Sequence, residues 1–209
     1  MKRLLFIPLL LLALSVGAQS VLRTNSFYTA PASGAPPPLV VSDNFAVNYN
    51  PLWDDTDWGL GIGGNLTAYG GVVASGLNTE ALAYYEGTFD ADQYSEVIIS
   101  GVPNNGFRIG CAVRVSTNNG YALVVDANDY ILFEIVAGAY NQIVTAAGTF
   151  AINDEIELRI TGTTLKMYKN DVQFGGDQTD NSLSSGNPGV AGTRWDSDTH
   201  ITSFEGGEL

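Results

Sequence analysis

Residues 106–126 read Gly106-Phe-Arg-Ile-Gly-Cys-Ala-Val-Arg-Val-Ser-Thr-Asn-Asn-Gly-Tyr-Ala-Leu-Val-Val-Asp126. Phe107, Ile109, Cys111, Val113 and Val115 alternate with Arg108, Gly110, Ala112 and Arg114. A period of two places one set on a buried face and the other on a wetter one, as in a β-strand. Asn118-Asn119-Gly120 supplies residue types that tolerate the positive φ of a tight hairpin. Tyr121 to Val125 then returns, and Asn128-Asp129 turns the chain into Tyr130-Ile-Leu-Phe-Glu-Ile-Val136.

The same pattern extends in both directions. Leu39 to Phe45 reads as a short strand, followed by a turn-rich aromatic segment from Asn48 to Trp58. Further strands are expected within 65–73, 80–85, 90–100 and 142–146. In Glu155-Ile-Glu-Leu-Arg-Ile160 the apolar Ile156, Leu158 and Ile160 point inward, while Glu155, Glu157 and Arg159 point to water. Leu165–Lys169, Val172–Phe174 and His200–Glu205 complete the set, with Asn170-Asp171 as a hairpin turn. About a dozen short strands at this spacing, with no long helical pattern, predict an all-β, two-sheet antiparallel sandwich over 39–209.

The N-terminal segment has a different character. A basic Met1-Lys-Arg, an apolar run from Leu4 to Leu14 and the small residues Val16-Gly17-Ala18 are the parts of a secretory signal peptide, cut after Ala18. The run is too short to span a bilayer, no later stretch approaches that length, and no cysteine stands near the cleavage site to take a lipid. Residues 19–38 are rich in Ser, Ala, Thr and Pro and end in Ala35-Pro36-Pro37-Pro38. They predict an extended linker, or an arm that docks on a neighbour in a homo-oligomer.

Nine basic residues stand against 22 acidic ones, a net charge of −13. Loss of Lys2 and Arg3 with the leader brings this to about −15. A field of that sign disfavours nucleic acid and anionic membranes as partners. One cysteine, Cys111, allows no internal disulfide, so the fold rests on its core.

Taken in order, these segments resemble a known family. The residues that carry the likeness are Asp43-Asn44-Phe45 before a Trp-containing loop, Asp92-Gln-Tyr-Ser-Glu-Val97 and Gly110-Cys-Ala-Val-Arg-Val115. Asn153-Asp-Glu-Ile-Glu-Leu-Arg159, Gly162-Thr-Thr-Leu-Lys-Met-Tyr-Lys-Asn170, Pro188-Gly189-Val190 and Ser203-Phe-Glu205 continue it. The pattern is similar to the concanavalin A-like lectin/glucanase jelly roll, especially the laminin G-like modules of secreted bacterial and phage proteins. The resemblance implies two curved antiparallel sheets, the first and last strands side by side, and a sugar-binding concave face or rim.

Glycosidases of this fold carry Glu, Asp and Glu at alternate positions of one strand. Here Glu155 and Glu157 share a face but Arg159 takes the third place, which makes a glycan hydrolase or lyase the minor reading. With a single His, His200, no nucleophilic triad is in prospect. Glycan binding is the main expectation, since sugars are held by aromatic rings and planar polar groups. The candidates are Trp53, Trp58, Arg194 and Trp195 in loops, and Arg114, Tyr130 and Glu134 on the outward face of one sheet. Asp54, Asp55, Asp57, Asp196 and Asp198 form oxygen-rich loops of the kind Ca2+ prefers. The remaining alternative is a structural subunit of an extracellular or virion-surface assembly.

Overall fold

The computed structural model describes residues 38–63, 66–69, 71–75, 80–101, 108–193 and 200–209. The expected signal peptide and the arm up to Pro37 lie outside these. The described residues hold fifteen strands and one short 3-10 turn, Leu52–Asp54. The strands are β1 (Val40–Asp43), β2 (Trp58–Ile62), β3 (Leu66–Tyr69), β4 (Val72–Ser75), β5 (Glu80–Tyr85), β6 (Gln93–Gly101), β7 (Arg108–Ser116) and β8 (Asn119–Val125). They continue with β9 (Asp129–Val136), β10 (Ala139–Ala147), β11 (Glu155–Thr161), β12 (Thr164–Lys169), β13 (Val172–Thr179), β14 (Asn187–Thr193) and β15 (His200–Glu208).

These strands form the expected two-sheet antiparallel sandwich. An eight-stranded sheet runs β13-β12-β11-β6-β15-β4-β3, with β1 also paired to β15; a seven-stranded sheet runs β10-β9-β8-β7-β14-β5-β2. First and last strands lie side by side, Val40 opposite Gly207 and Asp43 opposite Phe204. The Asn170-Asp171 turn has φ of 50° and 62°, the paired positive values of a type I′ hairpin.

Alternation explains most of the core. Val97, Ile99, Ile156, Leu158, Ile160, Met167 and Phe204 of the eight-stranded sheet meet Ile109, Cys111, Val113, Tyr121, Leu123, Leu132 and Val190 of the other. Burial pushes the Cys111 thiol well up, so it packs as a small hydrophobe. Two buried polar residues bond the sheets together. Ser95 Oγ donates to the Gly189 carbonyl at 2.7 Å, and Gln93 Nε2 donates to the carbonyls of Asp90 and Gly186.

The seven-stranded sheet is not flat. Strand β8 stands four places from β2, about 19 Å across a flat sheet. Yet the Asn118 N–H, in the turn leading into β8, donates to the Gly61 carbonyl at 2.7 Å. The sheet must therefore roll up, and the face it rolls toward carries a second apolar cluster. Leu82, Ala112, Val115, Ala122, Val124, Ile135 and Ala191 make its buried floor. Glycines permit the roll: a Cβ at Gly61 would come within 2.9 Å of Val115 Cγ1, and one at Gly110 would overlap the Leu123 carbonyl.

Alternation fails at the end of β7. A bulge between Val113 and Ser116 puts Arg114 at φ 50° and moves Val115 from the inner core to the rolled face. The hairpin turn also falls one residue earlier than expected. Asn118 takes the positive φ (63°), while Gly120 is needed for space, a Cβ there standing 3.1 Å from Leu82 Cδ2. Gly110→Ala is expected to cost about 1–3 kcal/mol by overpacking, read as a lowered urea midpoint.

Candidate functional site

The rolled face is a concave surface with a buried apolar floor and aromatic walls. Half-buried Tyr84, Ile131, Phe133 and Tyr140 pack against the floor. Phe133 and Tyr140 meet edge to face with ring centroids 5.6 Å apart. Burial pushes the Tyr140 hydroxyl up strongly, and Glu80 adds to it, although β5 and β10 are five places apart in the sheet. Tyr84 is pushed up by burial and then by Glu86, to which its hydroxyl is bonded. Gln142, opposite Phe133 on β10, adds an exposed amide.

One end of this face is closed by an ion network. The Arg108 guanidinium contacts Asp129 at 2.8 Å and Asp126 at 3.2 Å. Asp126 Oδ1 also accepts the N–H groups of Asn128 and Asp129, which shapes the β8–β9 turn. Thr193 stands opposite Arg108 on one side and Glu80 on the other. The chain then enters 194–199, so Arg194, Trp195, Asp196 and Asp198 lie outside the described residues.

Four of the expected ligand residues sit elsewhere. Trp58 is 2% exposed and packs among Phe45, Tyr85 and Phe204. Its indole N–H donates to Asp43 Oδ2 at 2.8 Å, so it anchors the first strand and offers no ring to a sugar. Arg114 is buried because the bulge turns it beneath the loops, where it donates to the carbonyls of Ala91, Leu183 and Gly162. Tyr130 faces the inner core, edge-on to Phe174 and Phe150. Glu134 follows it on the inner side, opposite Tyr121, and takes a bond from Asn141. Apolar residues at nearly every position of Tyr130–Val136 reflect a strand packed on both faces, so alternation does not tell the faces apart.

Trp53 lies in the 3-10 turn, its side chain outside the described set. Around that turn a recess of about 270 Å³, open mouth included, is lined by Asp43, Asn44, Tyr49, Leu52 and Asp55. Asp55 Oδ1 accepts the Asp57 N–H, and Asp54 and Asp57 are exposed. Among the described residues no three His, Cys, Asp or Glu side chains are placed together so that they could hold a metal ion.

Glu157 departs from its expected exposure. It lies on the outer face of β11 but is 2% exposed, because Arg159 binds both of its oxygens. Arg159 thus holds Glu157 in a charge-assisted two-pronged pair.

No protein-family model and no curated protein sequence matches this chain. Among solved structures it is similar to carbohydrate-binding module CBM66 from Bacillus subtilis. The identity is 19% over 70% of this chain and 91% of that one, with a TM-score of 0.57. The VIP36 exoplasmic/lumenal domain in its Ca2+/Man2-bound form matches at 11% identity over 81% and 87%, TM-score 0.56. A xylan beta-1,4-xylosidase from Bacillus halodurans C-125 matches at 14% over 88% of this chain and 41% of that one, TM-score 0.50. The fold is the concanavalin A-like antiparallel jelly roll.

Arg114→Met should lower stability by about 3 kcal/mol, since it strips donors from three carbonyls. A lowered urea midpoint would show it.

Proposed function

We propose that this chain is an exported, non-catalytic carbohydrate-binding module that receives its glycan on the concave face of the seven-stranded sheet. The observation that carries this reading is the set of half-buried rings, Tyr84, Phe133 and Tyr140, on a face whose floor is already sealed by its own apolar cluster. Such rings stack on the C–H faces of sugars, and amides and carboxylates at the rim bond the hydroxyls. Gln142, Thr193 and Glu80 occupy that rim. The lectin-type fold agrees, CBM66 being a carbohydrate-binding module and VIP36 having been seen with a bound mannose disaccharide. Glu157, locked by Arg159, supports the non-catalytic half of the proposal. The leader pattern of Met1–Ala18 supports export. Arg194, Trp195, Asp196 and Asp198, outside the described residues, stay candidates for glycan and Ca2+ on their residue types alone.

A glycan array probed with the full chain, with calcium and with chelator, tests the reading. Tyr140→Ala and Phe133→Ala should each weaken saturable binding at least about tenfold, while Tyr130→Phe should leave it unchanged. A blank array under both conditions would overturn the proposal.

A further inference from the structure

On the outer face of the eight-stranded sheet, Glu96 of β6 stands opposite Glu157 of β11 on one side and Glu205 of β15 on the other. Three carboxyl groups thus lie in line across three adjacent strands in the middle of the sheet. Directly opposed residues have Cβ atoms about 4.5–5.5 Å apart, and like charges there force strands apart. Glu155, two residues before Glu157, and Asp171, in the β12–β13 turn, add two more carboxyl groups.

Positive charge is scarce here. Arg159 is spent on Glu157 and lies 4.5 Å over the Tyr168 ring. Lys166, opposite Arg159 on β12, reaches Asp177 instead at 3.6 Å. Tyr94 donates its hydroxyl to Glu205 at 2.7 Å. Glu155, diagonal to Glu96 across the β6–β11 pairing, is the neighbouring carboxyl placed to share a proton with it. Two carboxyl groups can bond to each other only with a proton between them, because ionised carboxylates are acceptors only.

We propose that this row is a proton-operated latch: a proton held by Glu96 and shared with Glu155 ties β6 to β11 and spares β6 repulsion from Glu205 of β15, and its loss loosens both pairings. Burial first, then Glu155, Glu157, Glu205 and Asp171, push the Glu96 carboxyl up to about 8 from a usual value of 4.5. Because the folded chain holds this proton more tightly than the unfolded one, the stability it contributes is complete below 4.5. That contribution drains away as pH rises from there through about 8. Mildly alkaline surroundings would thus loosen β15 against β6.

The test is thermal unfolding and amide hydrogen exchange of the full chain between about pH 5 and pH 9. The wild type should lose several degrees of melting temperature across that range. Amides of β6 and β15 should open at least about tenfold more often at the alkaline end, after correction for intrinsic exchange. Glu96→Gln should abolish both trends and be the more stable protein at the alkaline end, whereas Glu134→Gln should keep them. Equal slopes in wild type and Glu96→Gln would overturn the latch. If Glu96→Gln does not fold, carbon-detected NMR titration of Glu96 in the wild type decides instead. A midpoint well above 4.5 supports the latch, and one at or below it sinks the idea.

Discussion

The contact between Asn118 N–H and the Gly61 carbonyl joins parts of the seven-stranded sheet that a flat geometry would hold about 19 Å apart. This closure gives the sheet two different faces. One packs on the opposite sheet in the ordinary way. The other is folded on itself, so that Leu82 lies against Val115 and Gly120 and seals a small core of its own. Backbone-close glycines and the alanines at 112, 122 and 191 are the condition for this, since larger side chains would hold the sheet open.

The roll also determines which residues face a ligand. Without it Tyr84 and Tyr140 would stand near opposite edges of a wide sheet, and Glu80 would be too distant to act on Tyr140. With it they become the walls of one concavity, with the Arg108, Asp126 and Asp129 network closing one end. Arg108 is neutralised there by two carboxylates, so it serves the turn geometry more than it supplies a free charge.

The acidic composition reaches into the secondary structure itself. Charges on a sheet surface are usually arranged in opposite-sign pairs across strands. Here β15, β6 and β11 oppose carboxyl to carboxyl, and only Glu157 receives a guanidinium. The net charge of −13 is therefore more than a solubility property, because part of it sits where ionisation works against strand pairing.

The amino-acid sequence by itself determined most of the strands, many of their turns and much of the inner core, but not β2 or β14, whose glycine-containing runs do not read as strands. Period-two alternation in 93–100 and 155–160, and Asn170-Asp171 between strands, depend on local geometry that a linear pattern records. The neighbouring first and last strands followed from the resemblance. Tertiary structure decided the site. A single bulge after Val113 reversed the facing of Arg114 and Val115, and burial on both sides of β9 hid which of Tyr130 and Phe133 faced outward. Trp58 looked like a loop platform because its neighbours are polar, but Asp43 and Phe204, distant in sequence, draw it into the core. Likewise Glu157 kept the predicted face and lost the predicted exposure, because cover comes from Arg159 and from strands aligned on either side. Facing and exposure depend on sheet curvature and cross-strand neighbours, which are long-range properties that local alternation does not encode.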